Sequence, residues 1–447
     1  MKKGTLSYTS LVFIHIGIGL IVYLIPFLAK IYSALILVVG LFYVMKTRNR
    51  NNEALFISAY LVGAEVFLRM TDGNPFHEMI KYSVIVFMIM GMVYSGISKG
   101  SLLFWFYMFF LLPGVLVATE TLNFGTDIRK AIMFNLSGPL CLGFAAIYCY
   151  RRKISLEELN NLLLTILFPI FSALTFVFLY NPSIKEVVTN TASNFETSGG
   201  FGPNQVATIL GLGTFILVSR IVLKSKGIWV FFLNVALCIL MTFRGIVTFS
   251  RGGMMTAAIM IVLLLLVLFF FTDAKGRFNI IKAVAVGIVL LFGVWLYSSS
   301  QTSGLIERRY ANEGVHGNKK ASQLSGREDL ISSEIKMFLD NPIFGIGVGK
   351  NKEYREETTG IVAASHNEIT RMLAEHGSFG LVGFLILLIV PLLLYLDNKM
   401  HIYMLSFYMF WLLTLNHAAM RTAAPAFIYA LTLLKIYALE KPAVHRE

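Results

Sequence analysis

The sequence predicts an all-α fold, a polytopic bundle of membrane-spanning helices with one large loop outside the membrane. The 447-residue chain is 56% hydrophobic and 14% charged, whereas soluble proteins carry about 25% charged residues. About fourteen apolar runs approach the 20 residues or so that a spanning helix needs. One long polar interval, 299–378, interrupts them. This pattern excludes a soluble globular domain.

The apolar runs define three parts of the chain. Runs in 1–298 predict about eleven spans, 299–378 is the large loop, and 379–447 returns to spanning helices. The second, third and last two runs are short, so about twelve to fourteen spans are expected. The runs lie near 8–29, 31–46, 53–70, 77–97, 101–118, 131–150, 161–180, 204–223, 228–247, 253–272, 279–298, 379–396, 401–417 and 424–440.

Positive charge alternates between successive loops. Because cytoplasmic loops of membrane proteins are enriched in Lys and Arg, the alternation predicts that both termini are cytoplasmic and that 299–378 is external. The same rule explains why Lys and Arg number 38 against 25 acids, so nucleic acid is not an expected partner. No small-x-small cleavage site follows the first apolar run, which predicts an uncleaved span. The basic loops hold Lys2–Lys3, Lys46, Arg48, Arg50, Lys99, Arg151–Lys153, Arg220, Lys224, Lys226, Lys275, Arg277, Lys399, Lys441 and Arg446.

A second group of arginines falls on the external side, where cations are expected to be scarce. Charges close to the hydrocarbon are costly and are usually paired or functional. Their concentration on one side suggests an anionic ligand there. The group comprises Arg129, Arg244, Arg251, Arg308, Arg309, Arg327, Arg355, Arg371 and Arg421.

Several common chemistries have no signal in the sequence. Cys141, Cys149 and Cys238 lie inside apolar runs and are interpreted as buried thiols rather than as disulfides or metal ligands. No acidic pair resembles a metal clamp, and no Walker, Rossmann or nucleophile-elbow motif occurs. We therefore expect no metal and no cofactor, and a nucleotide-dependent enzyme facing the cytoplasm is excluded.

The external loop predicts two helices separated by a glycine-rich turn. Residues 327–340 carry an apolar stripe suited to lying on the membrane and covering a cavity. Asn341-Pro342 ends this helix, and glycines alternate from 345 to 349. A second helix is expected from His366–Asn367 to Gly377. The apolar stripe of the 327–340 helix comprises Leu330, Ile331, Ile335, Phe338 and Leu339.

His366 and two arginines are the first candidates for chemistry. A neutral imidazole accepts a proton near pH 7, as a general base must, although a surface or capping role is the common alternative. Arg251 and Arg244, in FRGIVTFSRGG, suit bidentate binding of phosphate. Their alternative is snorkelling at the ends of spans. Gly252-Gly253 would admit a close backbone or ligand.

Further candidates lie at other external ends of spans. Arg421, one turn after His417, could complete an anion site. Asn204 in FGPNQVA could bind a sugar or phosphate, or act as a helix cap. Asn367, beside His366, is a further candidate for substrate binding. His376, on another helix face, has at most a supporting role. Glu65, Arg69 and Asp72 are most simply interpreted as an internal ion pair.

Four segments in this order resemble the O-antigen ligase and polymerase superfamily of bacterial envelope glycosyltransferases. They are GPNQVATIL (202–210), TFSRGGMMTA (248–257), SGREDLISSEIKMFLDNPIFGIGVGKN (325–351) and SHNEITRMLAEHGSFGLVGFL (365–385). Together they cover about residues 200–390. The preceding 200 residues match only as apolar spans.

The resemblance implies a metal-independent glycosyltransferase of the C-type class in the bacterial inner membrane. Its donor would be an undecaprenyl-pyrophosphate-linked glycan, and its acceptor a glycan or a lipid A core, on the periplasmic side. By matching motif, Arg251 would bind the pyrophosphate and His366 would lie at the transfer point. Arg327 would contact the donor or support the loop. Thr370 departs from the leucine or tyrosine that is frequent in the family, which affects the acceptor side at most.

Several functions remain open at the sequence level. The superfamily includes O-antigen ligases, polysaccharide polymerases and some protein O-glycosylating enzymes, and the number of readable spans slightly favours a polymerase. A flippase or transporter for an anionic glycolipid could use the same arginines, but it should carry ionisable residues near the midplane and broken helices. A non-catalytic scaffold of an envelope complex is a third possibility.

Overall fold

The computed structural model describes residues 7–223, 227–319, 327–360, 363, 365, 367–417 and 420–437. In these ranges the chain is helical apart from turns and two three-residue strands, β1 (Lys153–Ser155) and β2 (Lys435–Tyr437), which pair in parallel. The all-α prediction is confirmed. Helices α1 to α18 are Tyr8–Leu24, Leu28–Thr47, Glu53–Met70, Met79–Ser95, Leu102–Thr121, Ile128–Cys149, Leu156–Tyr180, Ile184–Val187, Pro203–Leu223, Ile228–Ile246, Arg251–Phe271, Ala274–Gln301, Leu305–Tyr310, Arg327–Asp340, Lys350–Thr359, Glu368–Leu396, Met404–His417 and Ala423–Leu431.

Nine helices in the described ranges are long and apolar enough to cross a membrane: α2, α5, α6, α7, α9, α10, α11, α12 and α16. Helices α1 and α4 are apolar but shorter, with 17 residues each. Together they define a multi-pass membrane protein. Most of these helices share one apolar core, in which α7 packs on α1 and α3, while α9 packs on α10 and α11. Helix α12 is the exception, because only Val294 and Ser298 on it are buried.

The final predicted span, 424–440, needs correction. Helix α18 ends at Leu431, and the chain then forms β2 beside β1. The backbone amide of Lys435 donates to the carbonyl of Arg152 at 2.9 Å. Sheet pairing therefore satisfies the backbone groups that a continued helix would have satisfied internally.

The helical breaks between residues 327 and 378 lie at the positions that the sequence indicates. Gly345, Gly347 and Gly349 have φ values of 71°, 98° and 85°, in the left-handed region that favours glycine. Asn367 caps the N-terminus of α16. Gly377, where a stop was expected, has φ 59° and kinks the chain, after which the helix continues to Leu396. The loop is thus fixed by turns at its glycines.

Helix α14 packs through a different face from the predicted apolar stripe. Ile335 and Leu339 on the stripe are 43% and 67% exposed, whereas Glu334 and Met337 are fully buried, on the side that meets α16. Glu334 pairs with Arg355 at 2.9 Å, and its other carboxylate oxygen accepts a hydrogen bond from Thr370 at 2.6 Å. A buried carboxylate needs such partners, so they decide which face turns inward.

Helices α9 and α11 approach each other backbone to backbone. A Cβ atom on Gly253 would lie 2.4 Å from the carbonyl carbon of Ala207 and 2.5 Å from the amide nitrogen of Thr208. A Cβ atom on Gly252 would lie 2.5 Å from the His417 ring. Small residues allow this approach between membrane helices. The expectation that Gly252-Gly253 admits a close neighbour is confirmed.

We predict that Gly253→Ala lowers the stability of the protein, since its methyl group would meet backbone that cannot rotate away. Overpacking of this kind costs about 1–3 kcal/mol. The thermal midpoint in detergent measures the effect. Gly287→Ala in α12 is the matched control, because no described atom apart from the backbone of its own helix lies within 4 Å of its added Cβ. Equal midpoints for the two variants would contradict the proposed contact.

Candidate functional site

A polar cavity of about 740 Å³ lies where the N-terminal ends of α4, α6, α15 and α16 meet the turn before α18. The free backbone N–H groups and the dipole make a helix N-terminus favourable for anions. Convergence of several such ends gives the cavity a partial positive character. Its lining comprises Lys81, Thr126, Asp127, Lys130, Ala131, Phe134, Asn135, Gly349, Asn351, Lys352, Glu353, Glu356, Ser365, Glu368, Arg371, Met420 and Arg421.

Arg371 forms one wall of the cavity and is locked by carboxylates. Its guanidinium pairs with Glu368 through two hydrogen bonds and with Glu375 at 2.9 Å. It also donates to the carbonyl of Asn135 at 3.0 Å. The other oxygen of Glu375 accepts from the amide of Gly349 at 3.0 Å. Arg371 therefore holds α16, α6 and α15 together.

Lys81 lies at the floor of the cavity. The lysine pairs with Glu78 and donates to the carbonyl of Met420 at 3.3 Å. Glu78 in turn accepts a hydrogen bond from Ser137 at 3.0 Å. A buried ammonium requires such compensation. This arrangement fixes the backbone just before Arg421.

Buried acids hold the turn that carries Arg421. Glu65 accepts from the amide of Ala423 at 2.6 Å and pairs with Arg69 at 2.6 Å, which confirms the predicted internal ion pair, although Asp72 is exposed. Arg421 itself donates to the carbonyl of Ser365 at 2.9 Å. The half-buried guanidinium is thus presented to the cavity from a turn anchored on both sides.

Helix α15 is fastened to the turn before α6. Lys350 binds Asn123 and Glu353, each at 3.0 Å, and Glu357 at 3.2 Å, and Thr126 donates to Glu353. Burial acts to raise the pKa of Glu353, but the hydrogen bonds from Thr126 and Lys350 outweigh it and lower that pKa. Burial acts to lower the pKa of Lys350, but its hydrogen bonds with Glu353 and Glu357 raise it.

These pKa shifts predict that the α15 fastening weakens in acid. A lowered folded-state pKa for Glu353 stabilises the fold above the ordinary value of 4.5, and the stabilisation is lost as pH falls through the shifted pKa. Spin labels at Phe124 and Thr358, both exposed, should report a single distance at pH 7 and a broad distribution at a pH below the lowered pKa of Glu353. Glu353→Gln should give the broad distribution at both pH values. A wild-type distribution unchanged by acid would contradict this prediction.

A further buried ion pair joins two helices of the 299–378 interval. Arg355 is 1% exposed and pairs with Glu334. It also donates to Ser333 at 3.1 Å and to the carbonyl of Ala363. Arg355, one of the arginines expected on the external side, is therefore bound within the protein and acts as a structural link between α14 and α15.

The predicted site residues in the loop fall in different places. His366 lies outside the described residues, and Arg327 begins α14 with an undescribed side chain. Ser365, next to His366, lines the cavity. Asn367 accepts hydrogen bonds from the amides of Ile369 and Thr370. Its contact with the helix N-terminus is that of a cap.

Asn204 joins helix ends beside the cavity. Its side-chain nitrogen donates to the backbone carbonyl of His417 at 3.2 Å. Its side-chain oxygen accepts from the hydroxyl of Ser250 at 2.7 Å. The ring of His417 also lies 3.1 Å from the hydroxyl of Thr208. Asn204 therefore connects the N-terminal ends of α9 and α11 with the end of α17. These contacts are those of a residue that joins helices.

The two arginines in FRGIVTFSRGG do not line the cavity among the described residues. Arg251 is the first residue of α11 and is half-buried. Arg244 is 1% exposed and donates to the carbonyls of Phe178 and Asn181 at 3.4 and 2.5 Å. Its guanidinium also lies over the Phe178 ring. Arg244 thus binds the carboxyl end of α7, where a cation is favourable.

Several cavity residues were not identified from the sequence. The sequence placed Lys81 inside a span, Lys130 at the end of a span and Asn351 in a turn. Lys81 could have been found from the sequence, because an ionisable residue inside an apolar run is a candidate functional residue. Lys130 and Asn351 carried no comparable signal, since their importance depends on which helix ends meet.

The fold defines a multi-pass membrane protein, and its polar cavity is lined, among the described residues, by five cationic and four acidic side chains. Residues 236–385, about a third of the chain, match the family model described as O-antigen ligase. This match confirms the superfamily resemblance and supports a role in glycan transfer at a membrane. It runs from α10 into α16 and so includes α13, α14 and α15, the short helices between the spans α12 and α16. A search of curated proteins found no match.

Proposed function

We propose that this protein is an inner-membrane glycosyltransferase that transfers a glycan from an undecaprenyl-pyrophosphate-linked donor to an acceptor on the periplasmic side. Its product would be a lengthened surface polysaccharide, with transfer to a lipid A core as the related possibility. The observation that carries this proposal is the polar cavity at the converging helix ends. It is built partly by the segment that matches the O-antigen ligase family.

The cavity has the size and charge to hold a diphosphate with its first sugar. Small-molecule sites usually enclose about 300–1,000 Å³, and this one encloses about 740 Å³. Lys130 and Lys352 are exposed at its rim, and Arg421 is half-buried in its wall. These cations and the helix ends would stabilise the negative charge that grows on the departing diphosphate. Arg371, already held by two carboxylates, would keep the wall rigid.

The transfer step requires a base near the diphosphate. An acceptor hydroxyl oxygen forms a bond to the anomeric carbon, while the bond from that carbon to the phosphate oxygen breaks. The electron pair leaves with undecaprenyl pyrophosphate, and the hydroxyl proton passes to His366. This assignment is supported by the position of Ser365 in the cavity wall and by the chemistry of imidazole.

We predict that Arg421→Ala and His366→Ala each abolish most transfer while the protein still inserts. Loss of a charge-stabilising group costs about 10²–10³-fold in turnover, and loss of a general base about 10²–10⁴-fold. Turnover is measured with purified protein and lipid-linked glycan. Lys336→Ala is the control, because Lys336 is exposed on α14 away from the cavity lining. Normal turnover in both site variants would refute the assignment.

Arg251 provides a separate test of pyrophosphate binding. If Arg251 is a ligand as the motif implies, Arg251→Ala should lower turnover at least about tenfold, while Arg251→Lys should restore part of it. The thermal midpoint of each variant is measured alongside. Normal turnover in Arg251→Ala would remove Arg251 from the site and leave Arg421 as the arginine that binds the diphosphate.

The same assay separates transfer from transport. Covalent transfer of glycan in detergent, with no membrane gradient, would exclude a flippase that only moves the lipid. A ladder of longer lipid-linked chains would identify a polymerase. Movement of the glycan onto a lipid A core would identify a ligase. Intact donor after incubation with an active acceptor mixture would overturn the proposed transferase.

A further inference from the structure

Asn351 lines the cavity and carries a buried side-chain nitrogen that has no hydrogen-bond partner among the described residues. It is the second residue of α15 and is 3% exposed, and it belongs to the cavity lining. Its Nδ2 group has no hydrogen-bond partner among the described residues. Buried polar groups are nearly always satisfied. An unsatisfied donor at the wall of a polar cavity therefore points to a bound molecule that supplies the acceptor.

The surroundings of Asn351 prevent it from relaxing toward solvent. The backbone amide of Gly349, two residues before Asn351, donates to the carboxylate of Glu375. The side chain of Lys350 is held by Asn123, Glu353 and Glu357. The first turn of α15 is therefore fixed on both the α16 and the α6 side. A side chain on such a turn keeps its position in the absence of a ligand, which is the arrangement expected of a preorganised binding group.

We propose that Asn351 is a specificity-determining residue that donates a hydrogen bond from Nδ2 to an oxygen atom of the donor's sugar. The acceptor would be a hydroxyl or an acetamido carbonyl on the sugar next to the diphosphate. This assignment rests on the proposed function of the cavity as the donor site. It extends that function by naming the residue that distinguishes glycan-bearing lipid from the bare lipid diphosphate.

The chemistry of the amide favours a sugar over a phosphate as its partner. A carboxamide carries both a donor and an acceptor, and a sugar hydroxyl can satisfy both at once. An ionised phosphate oxygen would accept from Nδ2 but has no proton to donate in return. The cavity already provides cations for the phosphates in Lys130, Lys352 and Arg421. A neutral amide in the same wall is therefore the group suited to the neutral part of the donor.

The test compares binding of two probes to the purified full-length protein in detergent. One probe is the undecaprenyl-pyrophosphate-linked glycan purified from the cells in which this protein occurs. The other probe is undecaprenyl pyrophosphate without sugar. We expect Asn351→Ala and Asn351→Leu to weaken binding of the glycan probe by about tenfold or more. Binding of undecaprenyl pyrophosphate should stay within about twofold of wild type. Asn318→Ala, at an exposed asparagine of the same external loop outside the cavity lining, is the matched control.

A stability measurement separates this role from a structural one. Because the Nδ2 group makes no hydrogen bond within the described residues, its removal should leave the thermal midpoint unchanged or raise it. A lower midpoint in both Asn351 variants would assign Asn351 to structure and overturn the proposal. Equal weakening of both probes would overturn it in favour of a diphosphate contact, and unchanged binding of both would overturn it outright.

The binding assay also distinguishes failure of this assignment from failure of the proposed function. Arg421→Ala should weaken both probes, because both carry the diphosphate. If wild-type protein binds neither probe, or Arg421→Ala weakens neither, the proposed donor site is wrong and the Asn351 assignment falls with it. If wild type binds both and Arg421→Ala weakens both, normal binding by the Asn351 variants overturns only the role of Asn351.

Discussion

Compensation of buried charge is the constraint on which the rest of this structure depends. An uncompensated ion is expensive in an apolar bundle, so each buried cation at the cavity end is matched to carboxylates. Arg371 lies between Glu368 and Glu375, and Lys81 pairs with Glu78. The same groups bind backbone amides and carbonyls of neighbouring turns. Charge pairing thus compensates the burial of these polar residues. It also fixes the helix ends that enclose the cavity.

The cavity combines parts of the chain that are far apart in sequence. The family match covers 236–385, yet Lys81, Lys130 and Arg421 come from outside that segment. Helix α4 contributes Lys81 to the cavity lining and α6 contributes Lys130, while the turn before α18 contributes Arg421. The N-terminal half, which carried no motif, therefore contributes directly to the proposed donor site.

Much of the secondary structure was predictable because its causes are local. The helix at 327–340 and the glycine turn that follows it agree with apolar periodicity and proline placement. The inward face of α14 was not predictable, since Glu334 is buried by Arg355 and Thr370, which lie more than twenty residues away. The last span was mispredicted for a similar reason, because β2 finds its partner in β1.

The sequence by itself determined an all-helical membrane protein and its family resemblance, since hydrophobic length and motif order are properties of the linear chain. Tertiary structure decided which polar residues meet. It turned Arg355 and Arg244 toward internal partners, and it brought Lys81, Asn351 and Arg421 to one cavity. Hydrogen-bond partners and helix ends from distant segments make that choice, and their convergence is not encoded in the spacing of any one motif.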